Sequence, residues 1–431
     1  ARGHGGHGDA LRAPRLNEDT MTFSPLIYRR PAITATCAGL LLAAGCATNP
    51  GQPDQAVYSP SPAPNPATAT SRLKAPTGFY AAARTEDDFD GCPQTSAPHT
   101  GPLNFPSKYE GSDSARDDLN ENAAQRYRTQ VEPIRDLERG INTLVEDYLE
   151  TADPAAVDCA LDWMLEWARA DAMTGPVTTH TGKSMRKWSL GSIASSYLRL
   201  KLSASEPLLP YQDQAAEVED WLGELAYLVI GDWSNVPQRK FNNHEYWAAW
   251  AVMSVAVVVD DRQLFDWAVS QYDRAANQVT DDGYLNNELR RETRALFYHN
   301  YALPPLAMMA AFGHANGLDL EQRGDHALTR LAERVMSGLD QPEAFRNKAG
   351  AEQKLDDFKP SKFSWLEPYC SIEPCRGEFA RRLSEYRPLD NYRVGGNVTD
   401  LFNPRESSYS PSRRCPGHAW GRCALNRPLE V

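Results

Sequence analysis

The sequence predicts an all-α fold, an (α/α) toroid or barrel of antiparallel helical hairpins with an open cleft. Apolar residues recur at helical spacing from about residue 114 to about residue 340. The segments between them are short and rich in Gly, Pro, Asp and Asn, such as DWSNVPQRK and DDGYLNN, which joins neighbouring helices as antiparallel pairs. Ten Trp and eighteen Tyr supply aromatic faces of the kind that stack on sugar rings along a cleft. A compact orthogonal bundle has the same periodicity and stands as the alternative.

Taken in order, residues 1–20 carry no periodicity and read as upstream or appended sequence, with Met21 as the start. Arg29 and Arg30 precede an apolar stretch from Ala32 to Ala44. At about a dozen residues it is too short for a membrane span and has the length of an export-signal core. Residues 21–46 therefore read as an export signal. It ends Leu42-Ala43-Ala44-Gly45-Cys46. Small residues before a Cys resemble a bacterial lipoprotein box, with Cys46 as the lipidated residue and membrane anchor. An ordinary cleaved signal with an incidental Cys is the other reading. Both send the protein to the periplasm, the first with a tether to the outer membrane. Residues 47–76 are dominated by Pro, Ala, Ser and Thr and read as an extended linker. The folded domain is expected over 77–405, and residues 406–431 read as a disordered tail.

With 41% hydrophobic residues in 431, a substantial core is available. The net charge of −12 argues against nucleic-acid binding, which needs a broad basic surface. A polyanionic ligand would need its positive charge concentrated in a cleft. Of the eight Cys, six follow the signal, and an oxidising compartment lets them pair. Cys370 and Cys375 flank a short Pro-containing loop and are expected to bridge locally; Cys92 and Cys159 are the expected long-range pair. No Cys/His spacing fits a zinc site, so no metal is expected. A monomer is the default assembly.

Leu161, Met164, Leu165 and Ala168 mark one amphipathic helix; Val218, Trp221, Leu222, Leu225 and Val229 mark another. Trp163 and Trp167, one turn apart, are expected in the core. Residues 245–259 are nearly all apolar, as in a helix buried on most sides. Residues 262–277, 302–316 and 325–338 continue the series.

Two polar stretches lie at the edges of these apolar helices. One is Asn242-Asn243-His244-Glu245-Tyr246-Trp247; the other runs from Arg294 through Tyr298-His299-Asn300-Tyr301. Together they offer an amide, an imidazole, a guanidinium and a phenol. That set suits an acidic sugar, whose carboxylate must be neutralised before the neighbouring proton can be removed. Asn242 alone reads as a helix N-cap; Tyr298 and His299 read as packing residues on another helical face. Lys183, Arg186 and Lys187 in HTGKSMRKW read either as a solvated face or as contacts to uronate carboxylates, the latter being the expectation taken here.

The segments KYEGSDSAR (108–116), HTGKSMRKW (180–188), NNHEYWAAWAVM (242–253), NNELRRETRALFYHNYALPPL (286–306) and FSWLEPYC (363–370) resemble the mannuronate-specific alginate lyases of polysaccharide lyase family 5. The resemblance runs in order from about residue 77 to about residue 405. It implies an incomplete α/α toroid that cleaves poly-mannuronate by β-elimination with neither metal nor cofactor. It implies that Asn243, His244, Arg294 and Tyr301 are catalytic and that Lys108 sits on a loop closing over the cleft. Lys183, Arg186 and Trp247 join Lys108 as expected substrate contacts. Glu245 departs from the small or neutral residue of the family pattern. Adjacent helical residues face about 100° apart, so its carboxylate is expected to point away from His244.

The groups themselves suggest the chemistry. Asn243 and Arg294 would neutralise the C5 carboxylate, and Arg suits the task because it stays charged and bidentate. Tyr301 would take the C5 proton, with Arg294 and Lys108 favouring its phenolate. His244 would either share the base role or act electrostatically. Two other classes compete: a glycoside hydrolase, with Asp281, Asp282, Glu288 and Glu292 as candidate carboxylates, and a non-catalytic polysaccharide-binding lipoprotein.

Overall fold

A computed structural model describes residues 71–403 except 113, 114 and 117. The export signal, Cys46, most of the linker and the 406–431 tail lie outside the described residues. Thirteen helices follow in order: α1 Glu121–Thr151, α2 Pro154–Arg169, α3 His180–Leu202, α4 Gln212–Trp233, α5 Asn243–Val259, α6 Arg262–Ala276, α7 Asn286–Leu289, α8 Ala295–Ala315, α9 Arg323–Asp340, α10 Glu343–Ala349, α11 Leu366–Ile372, α12 Glu378–Tyr386 and α13 Val398–Phe402. A two-residue antiparallel pair, β1 Asp390–Asn391 with β2 Gly396–Asn397, is the regular sheet among the described residues.

The helices form two layers. Helices α1, α3, α5, α8 and α11 pack one on the next as an inner series, while α2, α4, α6 and α9 pack outside them. Sequence explains the sorting. The outer helices α2, α6 and α9 carry one apolar stripe and one polar face. The inner helices α3, α5 and α8 are buried on nearly every side. Helix α5 achieves this with a run of Ala, Val, Trp and Met; α3 does so with small residues, and its buried Ser189 and Ser195 hydroxyls bond back to the carbonyls of Met185 and Gly191. Trp163 and Trp167 are core residues, as their spacing suggests.

Two differences from the sequence reading have physical causes. Packing begins before residue 77: Leu73 and Ala75 are buried, and Leu73 N–H donates to Asp260 Oδ1 at 2.7 Å. Helix α8 begins at Ala295, earlier than the apolar run at 302, because its first turns bury aromatic and polar groups. Its interior Pro304 and Pro305 lack N–H donors. The Tyr301 carbonyl, four residues before Pro305, instead accepts from Trp247 Nε1 at 3.2 Å. Both expected disulfides are present, Cys92–Cys159 and Cys370–Cys375; the first ties the segment before α1 to α2.

The inner series is completed by a turn. Residues Tyr392–Val394, between β1 and β2, contact α1, α3 and α8. The turn reverses through Gly395 and Gly396, at φ 103° and 90°, where L side chains are strained. A Cβ on Gly396 would also collide with Asn142 and Glu146. A buried ion pair fixes this turn. Arg199 forks onto both Glu146 oxygens; Arg199 Nη1 also donates to the Gly395 carbonyl at 2.9 Å, and Asn397 N–H donates to Glu146 Oε1 at 2.8 Å. Removing one charge leaves the other buried and uncompensated, a loss of about 3–5 kcal/mol. Glu146→Gln should therefore lower the denaturant midpoint by that equivalent in equilibrium unfolding; an unchanged midpoint contradicts the role assigned to this pair.

Candidate active site

A cavity of about 220 Å³ is lined by α1, α3, α5, the start of α8, the loop around Lys108 and Arg393 from the central turn. Its cations are Lys108, Arg116, Arg135, Arg291, Arg294 and Arg393; among the described residues no Asp or Glu lines it. The N-terminal ends of α3 and α5 reach it through His180, Thr181, Asn243 and His244. The helix dipoles at those ends add to a field that favours a carboxylate.

Asn242 caps α5, accepting from His244 N–H at 3.0 Å, and Glu245 closes the capping box by accepting from Asn242 N–H at 2.6 Å. The Glu245 carboxylate is thereby turned to the cap, as helical geometry suggests. Asn243 is held by buried Glu288, whose Oε1 accepts from both its backbone N–H and its Nδ2, each at 2.7 Å. Asn243 Oδ1 has no protein partner. Burial raises the Glu288 carboxyl from 4.5 to about 7, against the lowering effect of its bonds from Asn243 and of Arg291.

His244 stacks on Trp233 with ring centroids 5.7 Å apart and meets His180 edge-on at 4.5 Å. Lys187 Nζ lies 3.0 Å from its Nδ1 and 2.7 Å from its carbonyl. Burial, then the positive charge of Lys187, His180, Arg291 and Arg116, holds His244 well below the usual imidazole range. It is therefore neutral and a weak base.

Tyr301 packs against Trp247, centroids 5.2 Å apart, and lies parallel to Phe297 at 6.3 Å. Arg393 Nη1 donates to Tyr301 Oη at 3.3 Å. Burial pushes the phenol up to about 12, and Arg393 opposes that rise. The cation beside this phenol is thus Arg393, not Arg294 or Lys108 as the sequence suggested. Arg294 lines the same cavity with its fork on Tyr109 Oη and Asp357 Oδ2 and its plane over Phe297. Lys108 Nζ sits 4.7 Å from the centre of the Tyr127 ring. Burial first, then Arg135 and Arg393, lowers its pKa to about 8.

Three expected substrate contacts lie elsewhere. Arg186 is 3% exposed, with Nη1 on Asp232 at 2.8 Å and Nε on the Met173 carbonyl at 3.0 Å. Lys183 Nζ donates to the Asp232 carbonyl at 3.1 Å. Trp247 is buried behind Tyr301. Neither cation lines the cavity, because α3 is an inner helix whose basic groups turn to partners within the fold. Conversely, Tyr298 does line it, beneath Arg291, whose Nη2 donates to its hydroxyl at 2.6 Å. His299 is a core residue, accepting from Leu285 N–H at 2.8 Å. Arg393, Tyr109 and Trp188 complete the site beyond the sequence reading, which had Lys187 as a uronate contact and Glu288 as a candidate hydrolase carboxylate; the Gly395-Gly396 pair is the one local sign of the turn that delivers Arg393.

The elevated Glu288 carboxyl sets a pH dependence. Between about 4.5 and about 7 the folded chain holds a proton there that the unfolded chain has lost, so this group makes stability fall as pH rises through that window. Glu288→Gln should flatten that part of the stability–pH curve while keeping an acceptor for Asn243; an unaltered slope contradicts the assignment.

Similarity to known proteins agrees with this geometry. The family model described as alginate lyase matches residues 104–345. Alginate lyases of Pseudomonas paraeruginosa and Pseudomonas fluorescens are 50% identical over 333 residues and 48% identical over 342, covering 77% and 78% of this chain and 91% and 92% of theirs. Among solved structures, a histidine-to-alanine variant of alginate lyase A1-III complexed with tetrasaccharide superposes with a TM-score of 0.64 at 23% identity, over 76% of this chain and 90% of that one. The A1-III enzyme from Sphingomonas species A1 gives 0.59 at 23%, over 76% and 91%; at that identity both speak for the fold. The sequence relatives and the family match place the protein itself: the chain belongs to the alginate lyase family, polysaccharide lyase family 5.

Proposed function

We propose that the cavity cleaves poly-β-D-mannuronate by syn β-elimination, with Tyr301 as base and then acid. The observation that carries this is a phenol hydrogen-bonded to Arg393 in a cavity lined by six cations and, among the described residues, by no carboxylate. A two-carboxylate hydrolase has no counterpart there: Glu288, the candidate nearest the site, is buried and engaged with Asn243.

The C5 proton of a uronate is acidic only once its carboxylate is neutralised. Asn243, His244 and Arg294 are assigned that task. Tyr301, as phenolate, takes the C5 proton. The C5–H electrons form the C4–C5 double bond, the C4–O4 bond breaks, and the new phenol returns its proton to O4. In mannuronate H5 and O4 lie on the same side of the ring, so one residue can serve both steps. Products are a new non-reducing end bearing a 4,5-unsaturated uronate and a shortened chain whose new reducing end keeps the former O4 as its anomeric hydroxyl. The phenolate needs Arg393, since burial alone opposes it.

Export to the periplasm belongs to the same proposal. It is supported by the Arg29-Arg30 and Ala32–Ala44 pattern and by two disulfides, which suit an oxidising compartment. Lipidation of Cys46 would tether the enzyme to the outer membrane.

The direct test is ultraviolet absorbance during incubation with poly-mannuronate. Wild type should generate the conjugated C4–C5 double bond, and Tyr301→Phe should lose about two orders of magnitude or more in kcat; new reducing ends without absorbance would sink the reading. The pH profile adds a second check. Activity should rise into the alkaline range as Tyr301 ionises. Arg393→Met removes the charge that favours phenolate and should move that limb to higher pH; an unmoved limb contradicts the pairing.

A further inference from the structure

The Lys187 ammonium group is an unusual neighbour for an imidazole assigned to a proton-transfer site. Lys187 is 0% exposed, in the middle of α3. Its Nζ has three acceptors at contact distance: the His244 carbonyl at 2.7 Å, His244 Nδ1 at 3.0 Å and the face of Trp233 at 3.6 Å from the ring centre. An ammonium has three donors and no lone pair. Each of its protons therefore finds one acceptor, two of them polar atoms of His244 and the third an aromatic face. Burial, with Arg393, holds its pKa well below the usual lysine range, against Glu245 and Asp232, which favour the charge; three acceptors around Nζ match the donor count of the charged form.

The charged form sets the imidazole. With Lys187 charged, Nζ cannot accept, so Nδ1 presents its lone pair. The other group beside Nδ1 is Ser184 Oγ at 3.2 Å, whose hydroxyl is within reach of both the His180 carbonyl, at 3.0 Å, and the Nδ1 lone pair. A proton on Nδ1 would face the Lys187 protons. The ring's single proton is therefore on Nε2, and with Nδ1 engaged inward that N–H is what His244 can offer to a ligand in the cavity it lines.

We propose that Lys187 is a positioning residue: it holds His244 as the neutral Nε2–H tautomer, making His244 a hydrogen-bond donor to the bound uronate and removing it as a base for the C5 proton. This rests on the lyase reading and sharpens it, leaving proton abstraction to Tyr301. Trp233, stacked on His244 and under Lys187 Nζ, keeps the two groups in register.

The ring protonation state can be read without turnover. Long-range proton–nitrogen spectra of protein labelled at histidine nitrogen, with His244 assigned through His244→Gln, should give the neutral Nε2–H pattern from mildly acid to mildly alkaline pH. An Nδ1–H pattern, or an imidazolium at neutral pH, overturns the proposal even if wild type makes unsaturated ends and Tyr301→Phe does not. Lys187→Met should release the ring, giving mixed tautomers and titration closer to ordinary histidine. Its kcat should fall by roughly 10–100-fold, as when a hydrogen-bonded orienting partner is lost, with KM changed far less. Lys187→Gln, which retains an N–H donor, should recover part of both the kcat and the Nε2–H signal. A Lys187→Met protein that keeps the wild-type spectrum and kcat overturns the proposal, and so does a Lys187→Gln protein with no recovery beyond Lys187→Met. Absence of unsaturated product from wild type would instead overturn the lyase reading and leave the spectrum to judge the tautomer.

Discussion

The Arg199–Glu146 ion pair is the constraint on which the site depends. It is buried inside the inner helices and holds no substrate. Its work is to pin the Gly395-Gly396 reversal, through the Gly395 carbonyl and the Asn397 N–H. That reversal carries Tyr392–Val394 into contact with α1, α3 and α8, and the turn carries Arg393 to Tyr301. A buried ion pair is weak evidence for stability in general. Here it has a specific use: it satisfies backbone groups at a strained glycine pair and places a guanidinium that no helix presents.

The electrostatics follow from burial acting against local charge. Burial alone would keep Tyr301 protonated and His244 neutral. Arg393 works against the first, whereas Lys187 reinforces the second. Two residues that look interchangeable as bases are thus separated by their cationic neighbours, the phenol favoured as the group that cycles its proton and the imidazole as the one that does not. The surrounding cations and two helix N-termini make the cavity locally positive within an acidic chain, which reconciles a net charge of −12 with a polyanionic substrate.

Much of this was legible in the sequence. The inner helix α5 announces itself because burial on all sides leaves little polar sequence. Asn242 as a cap, the outward turn of Glu245, the two disulfides and the core placement of Trp163 and Trp167 follow from local rules. The start of α8 was obscured because Phe297, Tyr298 and Tyr301 serve a cavity and break the apolar pattern. The basic run in α3 was misread for a related reason. Charge in a sequence suggests solvent or ligand, yet Lys183, Arg186 and Lys187 point to Asp232 and His244, which arrive from α4 and α5. Arg393 was out of reach: it meets Tyr301 across 92 positions, and no periodicity records that encounter.

The central claim is that one phenol, paired with Arg393, serves both the C5 proton and O4 while His244 and Asn243 hold the carboxylate. The most direct measurement is a crystal structure of Tyr301→Phe with a mannuronate tetrasaccharide bound intact. The account predicts a C5 carboxylate against Asn243 and His244 Nε2, with H5 and O4 of the reacting residues both facing the ring edge at position 301. A sugar whose carboxylate lies away from Asn243 and His244, or whose H5 faces His244 and not residue 301, would contradict it.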